Sequence, residues 1–104
     1  MFACQWHFDI PFGAQKEALE ILQQYGDAIA RSSAIPQPQS QRISVGHIGP
    51  SPSHVVVETV AGSLGEWEAM MKDVGTGKYQ EYATKLAKYI VPGTQRWEVY
   101  RIVK

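Results

Sequence analysis

The chain has 104 residues, 44% of them apolar and 19% charged, with 10 Lys and Arg against 10 Asp and Glu. That length and apolar share fit a single folded domain over residues 1–104 and exclude a wholly disordered chain. The zero net charge lacks the clustered basic excess that a phosphate backbone demands, which argues against nucleic acid as a partner.

Phe2, Cys4, Trp6, Phe8 and Ile10 alternate with Ala3, Gln5, His7 and Asp9, the period of a strand with one apolar and one more polar face. Pro11 and Gly13 end it. From Ala14 the period becomes helical: Ala18, Ile21, Leu22, Tyr25 and Ile29 form one stripe, opposite Lys16, Glu17, Glu20, Gln24 and Asp27. This predicts an amphipathic helix to about Arg31, with Gly26 as a candidate bend or early end because glycine costs roughly 1 kcal/mol against alanine there. Ser32 to Gln41 reads as a loop around Ile35-Pro36-Gln37-Pro38.

Arg42 to Ile48 and His54 to Ala61 are β-branched segments joined by Gly49-Pro50-Ser51-Pro52-Ser53, a hairpin pattern. A regular hairpin sets Ile48 opposite His54, Gly46 opposite Val56 and Ser44 opposite Glu58. Ile43, Val45, Val55, Val57 and Thr59 then share one face, and Arg42, Ser44, His54 and Glu58 the other. Ser63-Leu64-Gly65-Glu66 carries a capping box, in which the serine oxygen accepts the third amide and the glutamate reaches back to the cap amide. Trp67, Met70, Met71 and Val74 begin a helical stripe, Gly75-Thr76-Gly77 interrupts it, and Tyr79, Tyr82, Ala83, Leu86 and Ile90 resume it, giving one broken helical segment before Pro92-Gly93. Arg96 to Val103 alternates as a last strand.

The order β-α-β-β-α-β with right-handed crossovers predicts an α+β, ferredoxin-like fold: a four-stranded antiparallel sheet of order 4-1-3-2 with both helices on one face. The other face is left bare with Gln5, His7, Ser44, His54, Val56, Glu58, Val60, Glu98, Tyr100 and Ile102, a mixture too apolar for full exposure. This order, together with Ser63-Leu64-Gly65-Glu66-Trp67-Glu68-Ala69-Met70, Lys78-Tyr79-Gln80-Glu81-Tyr82 and Pro92-Gly93-Thr94-Gln95-Arg96-Trp97-Glu98-Val99-Tyr100-Arg101, resembles the dimeric α+β barrel superfamily, and NIPSNAP-like proteins within it. The resemblance implies a homodimer through the sheet face, with room for a ligand between sheet and helices or inside the barrel. It does not choose an activity, because that superfamily spans cofactor-independent monooxygenases, isomerases, haem enzymes and members without known activity.

His7 is the leading candidate for chemistry, a mid-strand imidazole able to pass protons near neutrality, or else a hydrogen-bonded packing residue. Glu58 on the third strand is placed either to hold the His7 tautomer or to form a salt bridge with Arg42 or with a second copy. Tyr100 offers a phenolic donor toward a carbonyl, or stacks in the dimer seam. Trp6, Phe8, Trp67 and Trp97 are read as core before pocket. His7, His47 and His54 lack metal-ligand spacing, no axial haem histidine stands out, Gly75-Thr76-Gly77 lacks the preceding strand of a phosphate loop, and no G-x-S-x-G occurs. No metal or cofactor is therefore expected. Cys4 as the sole cysteine excludes a disulfide framework. No apolar run reaches the roughly 18 residues of a membrane span, and Met1 to Ile10 lacks a signal's basic start, so a soluble cytoplasmic protein is expected.

Two functions remain open. One is a ligand-binding or scaffold protein. The other is a cofactor-independent monooxygenase or isomerase acting on an apolar aromatic or polyketide-like molecule, with His7 as acid and base. A filled interior speaks for the scaffold, and an open cavity touching His7 for the enzyme.

Overall fold

The computed structural model describes residues 1–31 and 40–104, and the expected Ile35-Pro36-Gln37-Pro38 loop lies outside the described residues. The elements are β1 (Phe2–Asp9), α1 (Gln15–Ala30), β2 (Ser40–Val45), β3 (His54–Ala61), α2 (Leu64–Val74), α3 (Gln80–Ala87) and β4 (Arg96–Arg101). The strands form one sheet in the order β2-β3-β1-β4 with every neighbouring pair antiparallel, which is the expected 4-1-3-2 read from the opposite edge. The fold is α+β and ferredoxin-like.

Alternation in β1 sends Phe8 and Ile10 inward, where they meet Val55 of β3, Ala18 and Leu22 of α1, and Leu86 of α3 in one buried cluster. Phe8 and Val55 are fully buried, so the sequence's apolar stripes define this core. Helix α1 runs through Gly26 without a break, because Leu22, Tyr25 and Ile29 hold both sides of the glycine against the interior.

Three local expectations are corrected. The hairpin register differs by two residues: Ser44 faces Val56 and Arg42 faces Glu58, not Ser44 facing Glu58. The ladder closes early, with Gly46 N donating to His54 O and His54 N donating to Ser51 O, both at 2.9 Å, so 47 and 48 belong to the turn. A shift of two keeps every side chain on its face, which is why the face assignment survives. The second helical segment is two helices. Thr76 N closes on Asp73 O at 3.2 Å, and Gly77 reverses the chain at φ +87°, a conformation that glycine adopts without strain. The capping box is offset: Glu66 N donates to Ser63 Oγ at 3.1 Å as expected, but the Glu66 carboxylate takes the N–H of Gly62 at 3.0 Å, one residue before the cap.

Candidate functional site

The bare sheet face carries a continuous polar chain. Gln5 stands opposite Glu58 and Glu98 on its two neighbouring strands, and His7 stands opposite Val56 and Arg96. Although no helix among the described residues lies over its face, His7 is only 7% exposed, covered by the side chains around it. Its Nε2 meets Gln5 Oε1 at 2.9 Å and Glu98 Oε2 at 3.0 Å. Its Nδ1 meets His54 Nε2 at 2.9 Å and Arg96 Nη2 at 3.3 Å. His54 Nδ1 in turn lies 2.7 Å from Asp9 Oδ1. The Asp9 backbone is pinned, its N–H donating to Thr94 Oγ1 at 3.0 Å and its carbonyl accepting from Val91 N at 2.9 Å, which fixes the carboxylate at the end of β1.

The expected direct contact between His7 and Glu58 does not form. Register sets Glu58 two residues along β3 from the partner of His7, a step of roughly 6.6 Å along a strand. Its oxygens are also occupied: Oε2 accepts from Gln5 Nε2 and Oε1 from Arg42 Nε, both at 2.9 Å. The Arg42 alternative is the one realised, and Gln5 relays between Glu58 and His7. The acidic neighbour of His7 is instead Glu98. Burial, then the Arg96 guanidinium, lower the His7 pKa from the ordinary histidine value against the opposing pull of Glu98, and His54 lowers it further. Tyr100 does lie on this face, but half exposed, with its hydroxyl donating to Glu98 Oε1 at 3.1 Å. That hydrogen bond raises its pKa, so the phenol stays a neutral donor.

The opposed nitrogens of His7 and His54, 2.9 Å apart, are too close to share a metal ion, since two nitrogens on one tetrahedral zinc stand roughly 3.3 Å apart. His47 sits apart in the exposed hairpin turn. Among the described residues no group of three His, Cys, Asp or Glu is placed to hold a metal. An open depression of about 430 Å³ lies over His7, Asp9, His54 and Arg96.

A second space opens on the opposite side of the sheet. A cavity of about 280 Å³ lies between sheet and helices. Trp6, Val57, Thr59 and Trp97 form its floor, Leu22, Tyr25, Gly26 and Ile29 one wall, and Met70, Met71 and Val74 the other, with Gln95 at the margin. Trp6 and Trp97 stack at 5.9 Å between centroids and 10° between planes, and the edge of Trp67 meets Trp97 at 5.8 Å. Trp6 Nε1 donates to Gln95 Oε1 at 3.2 Å. Tyr25 stacks on Tyr82 at 5.8 Å, and burial raises its pKa, keeping the phenol neutral. Trp6 and Trp97, expected in the core, therefore line a pocket, whereas Phe8 is core. Strand periodicity is identical for both fates. His7 does not touch this cavity, because the sheet lies between them.

No protein-family model matches the chain, and no curated protein matches it. Solved structures do. A candidate antibiotic biosynthesis monooxygenase from Nitrosomonas europaea superposes with TM-score 0.75 at 12% identity, covering 100% of both chains. A NIPSNAP family protein from Agrobacterium tumefaciens strain C58 gives 0.72 at 18% identity, over 96% of this chain and 90% of the other. A cofactor-independent oxygenase from Streptomyces nogalater gives 0.73 at 14% identity, over 99% and 93%. The chain has their fold. At these identities the likeness extends to backbone architecture and carries no residue roles. Among the described residues no helix is long and apolar enough to cross a membrane.

Proposed function

We propose that this protein binds a flat, neutral, largely apolar molecule in the cavity between sheet and helices. The observation that carries this reading is the lining: aromatic and aliphatic side chains, with Gln95, Thr59 and the Tyr25 phenol as the polar groups and no charged side chain among the described residues. A charged ligand would enter without a counter-ion, at a desolvation cost of several kcal/mol. An apolar cavity of roughly 150 Å³ accommodates a benzene ring, so about 280 Å³ suits two fused rings. Gln95 and Tyr25 are placed to orient such a ligand's polar edge. Isothermal calorimetry with indole tests this: saturable one-site binding, weakened at least tenfold by Val57→Phe with the fold intact, is expected. No binding, or binding indifferent to Val57→Phe, contradicts it.

A second reading, a cofactor-independent monooxygenase or isomerase, draws support from the fold shared with the Streptomyces nogalater oxygenase. In that reading the groups that touch substrate are Tyr25 and Gln95, and His7, Glu58 and Tyr100 stand outside the reacting centre across the sheet. Oxygen uptake on adding a naphthol separates the two readings.

The proposed assembly is a homodimer through the bare face, supported by Val56, Val60 and Tyr100 among its paired charges. Such a seam would bury more than about 1,200 Å² in total, and light scattering should return twice the chain mass at micromolar concentration. We assign His7, Glu58 and Tyr100 to this seam. Cys4, the single cysteine, buried and unpaired, fits a reducing compartment, and we place the protein in the cytoplasm.

A further inference from the structure

We infer that His7 and His54 form a proton-binding site of their own, holding one proton between two imidazoles at neutral pH and acting as a pH sensor for the bare sheet face. Hydrogen-bond polarity carries the argument. His7 Nε2 faces two acceptors, Gln5 Oε1 and Glu98 Oε2, so it bears hydrogen. The Gln5 amide cannot be turned round, because its Nε2 must donate to Glu58 Oε2. His54 Nδ1 faces Asp9 Oδ1 at 2.7 Å and also bears hydrogen.

The nitrogens left over are His7 Nδ1 and His54 Nε2, which point at each other at 2.9 Å. Were both rings neutral, each of these would be a lone pair, and two acceptors would stand at hydrogen-bond distance. One further proton turns the contact into N–H···N. Arg96 Nη2, 3.3 Å from His7 Nδ1, donates toward that atom and selects the ring that keeps its lone pair. His7 is therefore the neutral acceptor, and His54, against the Asp9 carboxylate, carries the added proton. Burial, Arg96 and the neighbouring imidazole all disfavour a charge on His7, in agreement with this polarity.

Charge balance supports the same count. The groups facing the pair are Asp9 from β1, and Arg96, Glu98 and Tyr100 from β4, while Glu58 of β3 is engaged by Arg42 of β2. The two carboxylates Asp9 and Glu98 are matched by Arg96 and the shared proton, and without that proton the cluster has a net negative charge. The site thus has a working range. Removing the proton sets lone pair against lone pair, and adding a second sets N–H against N–H, so the link between β1 and β3 on this face weakens at either limit. This holds whatever covers the face or fills the cavity.

Long-range nitrogen–proton NMR of the imidazoles in the full chain, from about pH 5 to about pH 9, tests the inference. The expected result at neutrality is two protonated nitrogens on His54 and one, Nε2, on His7, with both rings responding together in two linked steps. His54→Gln should leave a single step in place of the two, since the glutamine amide donates to His7 Nδ1 without titrating. Asp9→Asn should move the release of the shared proton to lower pH, since the carboxylate that faces His54 Nδ1 loses its charge. Two singly protonated rings at neutrality, or rings that titrate independently in the wild-type protein, would overturn the inference without any variant having to fold.

Discussion

Replacing Gly46 by alanine should be the most damaging single-methyl change in the hairpin. A methyl at Gly46 would lie 2.0 Å from Ser51 O, 2.7 Å from Ser51 C and 2.8 Å from Pro50 O. All three are backbone atoms, which cannot rotate aside as a flexible side chain can. Ordinary contact requires roughly 3.5 Å, so the turn must withdraw by more than an ångström. That withdrawal breaks the bond from His54 N to Ser51 O and weakens the one from Gly46 N to His54 O. At about 1 kcal/mol net for an intact bond, the loss lies between about 1 and 2 kcal/mol, to which the strain of displacing the turn adds, a large share of the roughly 5–15 kcal/mol that holds a domain folded. Gly49→Ala is the control: its φ of +96° is costly for a side chain, but nothing among the described residues lies within 4 Å, so about 1 kcal/mol is expected from conformation alone. Urea denaturation of the two variants gives the comparison. A Gly46→Ala loss no larger than that of Gly49→Ala would refute the close approach of the turn.

Other expectations follow from the caps and the polar face. Ser63→Ala should lower stability by roughly 1 kcal/mol by orphaning the Glu66 amide, and an unchanged denaturation midpoint would show the cap to be unused. Glu98→Gln should move the His7 titration to lower pH, since Glu98 is its opposing carboxylate, whereas Glu58→Gln should leave it in place; NMR titration reads both, and the reverse pattern would return Glu58 to His7. Because the folded protein holds the His7 pKa below its unfolded value of about 6.5, its contribution to stability is present above that pH and lost as pH falls through the lowered folded value. The urea midpoint should therefore decline on acidification, and a flat midpoint would show His7 to be equally basic in both states.

The order of elements, the sheet order and the sorting of faces were legible in the sequence because each rests on period and parity. Parity also absorbed the register error at Gly46, for a slip of two returns each residue to its own face. Contacts along a face were not legible. Whether Glu58 or Glu98 reaches His7 depends on the registers of β3 and β4 against β1, strands distant in sequence, and no turn between them reports it. The meeting of His7 and His54 has the same origin, being a diagonal across β1 and β3 fixed by Asp9 facing His54. The cavity was hidden for a different reason. The stripes of Met70, Met71, Val74 and Tyr25 say which way a helix faces, but not how closely it lies on Trp6 and Trp97.

The central claim is that the working space of this protein lies between sheet and helices, on the opposite side from His7. Intermolecular nuclear Overhauser effects from indole to the protein test it most directly. Cross-peaks are expected to the Met70 and Met71 methyls, Val57 and the rings of Trp6 and Trp97, with none to His7, Val56 or Arg96. Cross-peaks to the His7 face with none to the methionine methyls would contradict it.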